Sequence, residues 1–185
     1  EAEWHAVNAE MKGAFGEYDL FRGQQMITHI RLGVPGVHNI SNSVGAAAVA
    51  SLCGATPAQI ADGLLHFTGA GRRFESLGTH GGVAIVDDYA HHPDELAATI
   101  DSVRTSFPGR RLVLAFQPHT YTRTHALFRE FVEQLKKPDV VILAEIYAAR
   151  ERNTIGISSA HLAEEIDGSI FCETLPEVTA YLREN

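Results

Sequence analysis

The sequence predicts an α/β protein whose mainly parallel, Rossmann-like sheet carries helices on both faces and is preceded by a partial α/β segment. Three observations predict it. Short apolar runs recur at residues 83–86, 112–116 and 140–144, the pattern of strands buried on both faces in a parallel sheet. Stretches of helical period separate them, one from Pro93 and one through Leu127 and Leu135. Polar, chemistry-bearing side chains follow the runs at 87–95 and 117–123, where open α/β sheets place ligands. Strands alternating with amphipathic helices imply right-handed crossovers.

Taken in order, residues 4–31 are β-prone and punctuated by Gly16 and Gly23, which predicts two or three antiparallel strands. Val34-Pro35-Gly36 signals a loop. An alanine-rich helix is expected over about 39–53, closed by Gly54. Thr56-Pro57-Ala58-Gln59 combines a capping box with proline at the first helical position, and Ile60, Leu64 and Leu65 give that helix its apolar face. The chain changes character at Gly69-Ala70-Gly71-Arg72-Arg73, so a domain boundary is expected there, dividing 1–72 from 73–185.

Beyond it, a strand at 74–77, the Gly81-Gly82 turn and a strand ending at Val86 make a hairpin. Pro93 suits the first position of a helix, with Asp94 and Glu95 in the turn where the dipole favours anions. Leu96, Ala97, Ile100, Val103 and Phe107 share one face of it, and Pro108-Gly109 ends it. The strand at 112–116 leads through the loop 117–123 into a helix with Leu127, Phe128, Phe131, Val132 and Leu135 as its buried stripe. After the strand at 140–144, a long loop over 147–157 precedes a helix at about 159–166. A short strand at 170–172 and a last helix capped by Thr174-Leu175-Pro176-Glu177 complete the chain.

Composition narrows the function. The 185 residues are 45% hydrophobic and 21% charged, as in globular proteins. A formal net charge of −8 and the lack of a basic run argue against nucleic-acid binding. No apolar stretch is long enough for a membrane span, and nothing resembles a signal peptide, so a cytoplasmic setting is expected. Cys53 and Cys172 lack metal-ligand spacing and are expected to be buried free thiols. The chain opens Glu1-Ala2-Glu3-Trp4 without an initiator methionine and is expected to be part of something longer.

Four places could carry chemistry. Asp87-Asp88-Tyr89-Ala90-His91-His92 could form a ribose and substrate site, a metal site, or a polar loop whose His92 merely caps the next helix. A carboxylate such as Asp88 can accept both hydroxyls of a ribose; His91 with an aspartate would be only two ligands, too few to define a metal. In Gln117-Pro118-His119-Thr120-Tyr121-Thr122-Arg123, a guanidinium beside an imidazole and hydroxyls suits a carboxylate, against the plainer reading of a solvated helix start. Arg72 and Arg73 beside glycines could clamp a phosphate or line a solvated hinge. Asn39 and Asn42, three apart, share a helix face that could read an adenine edge, though capping also explains Asn39. No GxxxxGK[ST] occurs, and the lysines are Lys12, Lys136 and Lys137, so this sequence has no triphosphate cradle of its own.

Val34-Pro35-Gly36-Val37-His38-Asn39-Ile40-Ser41-Asn42, Gly71-Arg72-Arg73-Phe74-Glu75, the 87–93 stretch and Phe116-Gln117-Pro118-His119 together resemble the Mur ligases, most closely their alanine-adding branch. The resemblance implies that 1–72 is the end of the central ATP-binding domain and 73–185 the C-terminal domain, with the UDP-binding domain and the P-loop upstream. It implies an ATP- and Mg²⁺-dependent ligase joining L-alanine to UDP-N-acetylmuramate through an acyl phosphate, inactive as this chain alone. By motif match Asn39 and Asn42 would face adenine, Arg73 and, less directly, Arg72 the phosphates, and Asp88 the ribose. Tyr89, His91, His119 and Arg123 would face the amino acid and the acyl end of the muramyl substrate, His91 and Arg123 as the catalytic pair, with the metal ligands upstream. Many relatives carry arginine where this chain has Thr120, which places more of the carboxylate on Arg123. The alternatives are a Mur-type ligase that recycles murein tripeptide, a stand-alone nucleotide-binding module, and a metallohydrolase built on Asp88 and His91.

Overall fold

The computed structural model describes residues 2–185 and comprises two compact units. One runs to Tyr89 and takes in Asp101–Pro108; the other is Ala90–Ile100 with Gly109–Asn185.

In the first unit β1 (Trp4–Lys12), β2 (Phe15–Arg22) and β3 (Gln25–Pro35) form an antiparallel sheet in chain order, as the β-prone opening predicts. Alternate residues turn inward: Tyr18 and Leu20 of β2 and Ile30 and Leu32 of β3 are buried. Helices α1 (His38–Leu52) and α2 (Pro57–His66) cover them, contributing Ala47 and Ile60. The capping box before α2 is formed, Gln59 N–H donating to Thr56 Oγ1 and Thr56 N–H to Gln59 Oε1. Inside this core the Tyr18 hydroxyl meets Ser43 Oγ at 2.7 Å, and burial raises the phenol above its ordinary pKa. β3 runs through the expected loop to Pro35, whose missing N–H costs little at the end of an edge strand. Gly36 then turns the chain at φ +101, where a Cβ would sit 2.6 Å from the His38 ring.

β4 (Glu75–His80) and β5 (Val83–Asp87) are the expected hairpin around Gly81-Gly82. The buried, parallel placement expected of 83–86 does not occur. β5 pairs antiparallel with β4 in a two-stranded sheet, leaving Val83 61% and Ile85 40% exposed. A short apolar run does not specify its partner, and a two-glycine turn delivers a local one first. Cys53 also departs from expectation: it lies exposed at the end of α1, beside Leu52, while Cys172 is buried.

Helix α3 (Pro93–Ser106) contributes its first eight residues to the second unit and the rest to the first. Leu96 and Ile100 are buried on its predicted face. After β6 (Val113–Phe116) the helix expected beyond residue 123 begins earlier, as α4 (Tyr121–Ala126), and breaks at Leu127 before α5 (Phe128–Leu135). β7 (Val140–Ala144), α6 (Ser159–Glu164), β8 (Ile170–Cys172) and α7 (Leu175–Glu184) follow. β6, β7 and β8 form a parallel sheet with β7 central. Val141 and Leu143 face a core containing Leu96, Phe131, Leu135 and Leu162; Ile142 and Ala144 face another with Cys172 and Val178. Helices therefore cover both faces.

Two glycine substitutions test this packing by urea denaturation. At Gly33 a Cβ would lie 2.2 Å from the Leu65 carbonyl oxygen and 2.7 Å from that of Phe67. Gly33→Ala is expected to destabilise by about 3 kcal/mol, because backbone cannot move aside as a side chain does. In α1, a Cβ at Gly45 meets nothing within 4 Å, so Gly45→Ala is expected to stabilise by about 1 kcal/mol.

Candidate functional site

The expected residues fall into two clusters, one in each unit, and a pair on α1. In the first unit the arginines come together with the end of β5. The backbone N–H of Tyr89 donates to Arg72 O at 2.7 Å, and Phe74 N–H donates to Asp88 Oδ2 at 2.7 Å. Arg72 Nε reaches Asp87 Oδ2 at 3.2 Å, and its backbone N–H donates to Glu75 Oε2. Both guanidinium groups lie over the Tyr89 ring, Arg72 at 5.0 Å from its centroid and Arg73 at 5.9 Å. Tyr89, expected to face an amino acid, thus stands with the arginines, and the residue is 45% exposed. Arg72 (φ +57) and Phe74 (φ +50) hold left-handed backbone without being glycine, a conformation that surrounding bonds must impose.

On α1, Asn39 Nδ2 donates to Pro35 O at 2.7 Å, tying the turn before the helix, and Asn42 Nδ2 donates to Asn39 Oδ1 at 3.1 Å. Asn39 is not the cap: Val37 holds that position, without a side-chain hydrogen bond. The two amides share a face as their spacing requires, with Asn42 the more exposed.

The second unit gathers His91, His119 and Arg123. Glu95 Oε2 accepts the backbone N–H groups of His91 (2.9 Å) and His92 (3.2 Å) and lies 3.3 Å from His91 Nδ1. Arg123 Nη1 reaches His91 O at 3.4 Å. The His91 and His119 rings are 6.0 Å apart, and on its other side His119 meets Tyr147 at 5.5 Å. His119 Nδ1 is buried with no hydrogen-bond partner in the structure. The loop after β6 is tied to the loop after β7: Thr120 N–H donates to Tyr147 O and Tyr147 N–H to Pro118 O. Thr122 donates its amide and its hydroxyl to Glu151, which holds that carboxyl below its ordinary range.

Sequence reasoning missed Glu95, Tyr147 and Glu151 as members of this cluster. Glu95 stood three residues after His92 at capping spacing, and Tyr147 follows β7, so the rule that marked 87–95 and 117–123 marked it too. Glu151 had no local signal. Among the described residues no group of three or more His, Cys, Asp or Glu side chains could hold a metal. No described helix is long and apolar enough to cross a membrane.

A family signature described as "Mur ligase, glutamate ligase domain" matches residues 72–184. The chain belongs to the Mur ligase family. Relatives of this Mur ligase include the UDP-N-acetylmuramate--L-alanine ligase of Lachnospira eligens, 44% identical over 172 residues, a match covering 91% of this chain and 37% of the relative. The enzyme of the same name from Acidithiobacillus ferrooxidans is 50% identical over 135 residues, covering 73% of this chain and 29% of the relative. The Mur ligase chain thus spans little more than a third of the length of the curated relatives it matches. Its fold is that of the UDP-N-acetylmuramate-alanine ligase of Thermotoga maritima (TM-score 0.78, 23% identity, 96% of this chain and 39% of that one). The murein peptide ligase of Psychrobacter arcticus also shares it (TM-score 0.70, 19% identity, 98% and 38%).

Because Glu95 accepts both amides that open the His91-His92 turn, Glu95→Ala in this Mur ligase chain is expected to cost about 1 kcal/mol of stability. Chemical denaturation of the variant beside the parent checks it, and Glu95→Gln, which keeps an acceptor oxygen, is expected to lose less.

Proposed function

We propose that this Mur ligase chain is part of a cytoplasmic, ATP-dependent enzyme that joins L-alanine to UDP-N-acetylmuramate in peptidoglycan synthesis. The names of relatives that are 41–50% identical support the alanine-adding branch. The family match starting at residue 72 supports a family domain that begins at the expected 72/73 boundary, although residues 73–89 pack with the first compact unit; in this reading the N-terminal and remaining central portions of the same enzyme are its partners. The geometric observation that carries the reading is the meeting of His91, His119 and Arg123, drawn from two separate motifs, around a buried imidazole nitrogen.

In this reading the first-unit cluster serves the nucleotide. Two guanidinium groups suit phosphate oxygens, and Asp88, at the end of β5, is oriented by the Phe74 amide to accept ribose hydroxyls. Asn42, more exposed than Asn39, takes the larger part in reading adenine. This fits ATP only in part, since the sequence holds no P-loop lysine; a further portion of the enzyme would grip the triphosphate and bind Mg²⁺. When bound, ATP with Mg²⁺ supplies the phosphoryl group that activates the muramyl carboxylate as an acyl phosphate, releasing ADP.

The second-unit cluster serves the amino acid. Arg123 holds its carboxylate by paired N–H groups. His119, held between the rings of His91 and Tyr147, backs the amine so that its lone pair faces the acyl carbon. His91 places both its ring and its carbonyl against those two residues. Attack forms the C–N bond, the acyl C–O bond breaks to release phosphate, and the surplus proton of the amine passes to that departing phosphate.

Steady-state kinetics of the full-length enzyme test the assignment. Asp88→Ala is expected to raise the KM for ATP about tenfold and lower kcat, leaving the KM for alanine within about twofold. Arg123→Ala is expected to raise the KM for alanine about a hundredfold with ATP binding little changed, the loss of a charge-assisted, bidentate contact. Exchange of these two signatures, or unchanged kinetics in either variant, refutes the proposed roles.

A further inference from the structure

The loop after β7 is tied to the loop after β6. Four backbone or side-chain bonds join them: Thr120 N–H to Tyr147 O, Tyr147 N–H to Pro118 O, and the amide and hydroxyl of Thr122 to Glu151. His119 and Tyr147 also form an isolated parallel bridge beyond the ends of the strands. Each loop contains a non-glycine residue in left-handed backbone, Thr120 at φ +69 and Ala149 at φ +52. Such residues persist where the surroundings over-determine them. At Thr120 the determinants are visible, since its N–H is held by Tyr147 O and its carbonyl accepts from both the amide and the hydroxyl of Thr124.

Helix α4 begins at Tyr121 without a side-chain cap of its own, because Thr120 makes no capping bond. Glu151 fills that role from 29 residues away, accepting the Thr122 amide at 2.9 Å and its hydroxyl. Arg123 is the next residue, and its guanidinium reaches His91 O in the same cluster. A carboxylate that fixes the first turn of α4 therefore fixes the direction in which Arg123 leaves it. We propose that Glu151 is a positioning residue of the amino-acid site: it acts through Thr122 to aim Arg123, and so tunes affinity for the amino-acid carboxylate without touching it.

The inference rests on the reading of His91, His119 and Arg123 as the amino-acid site, so its test has two arms. In the full-length enzyme, Glu151→Ala is expected to raise the KM for alanine about tenfold while kcat and the KM for ATP stay within about twofold. Glu151→Gln, which keeps an acceptor oxygen, is expected to recover most of the loss. Thr122→Val is expected to add little in the Glu151→Ala background, since both remove one shared interaction. Equal rises in both KM values, or additive effects of the two substitutions, would overturn the proposal. The second arm is amide hydrogen exchange in the 185-residue chain itself, which needs no catalysis. There Glu151→Ala is expected to speed exchange at Thr122 at least tenfold relative to the β7 amides, and an unchanged rate would overturn the capping role. A parent enzyme indifferent to alanine, with Thr122 exchange still governed by Glu151, would instead strike the functional reading alone.

Discussion

Strand β7 has no face turned to water, and the second unit depends on that constraint. Val141 and Leu143 lie in one core and Ile142 and Ala144 in another, all of them nearly inaccessible. Val141, Ile142 and Leu143 each contribute roughly 1.5–3 kcal/mol relative to exposure, and Ala144 less. Slipping the register by one residue would exchange the two sets and present each to the wrong core. The register is therefore pinned, and with it the place where neighbouring strands end. Phe116 pairs with Leu143, so the segments that follow leave the sheet side by side, and the pairing continues as far as His119 and Tyr147. The cluster of His119, Arg123 and Tyr147 is thus a consequence of how β7 is buried.

Within the loops, a second device recurs. Acidic side chains hold turns by accepting backbone N–H groups: Glu75 from Arg72, Asp88 from Phe74, Glu95 from His91 and His92, Asp139 from Leu112, Glu151 from Thr122. Glu145 does the same for Ile146 and Ser159. A carboxylate offers several acceptor sites and an ionised one bonds more strongly than an amide, so it suits a turn whose amides lack partners. Part of the negative charge of this chain is therefore committed to backbone geometry. For Glu151 the sign follows directly. Its lowered pKa means that its contribution is present at neutral pH, above the ordinary carboxylate range, and is lost as pH falls through the lowered value.

Periodicity carried much of the fold. The stripe Phe131, Val132 and Leu135 is buried on α5 as its spacing predicts, and Thr56 and Gln59 close the box that their types announce. Hydrogen-bonded caps and helix faces are decided within a few residues, which is why they are legible. The 83–86 run was misread in its burial: its hairpin with 74–77 was expected and forms, but four apolar residues do not say whether further elements will cover the pair. Tyr89 was assigned by motif to the side of His91, yet its ring lies under Arg72 and Arg73. Adjacent positions at a strand end can turn to different neighbours, and sequence order does not record which.

What the sequence determined by itself was the set of elements, the family motifs and the chemical types gathered after each strand, because propensity, patterning and capping act over short separations. What only the tertiary structure decided was the company those side chains keep. Glu151 meets Thr122 across 29 residues, and Tyr147 packs at a tilt against His119 because two parallel strands end together. Contacts of that kind are selected by register and by the burial of entire faces, quantities that no single stretch of chain contains.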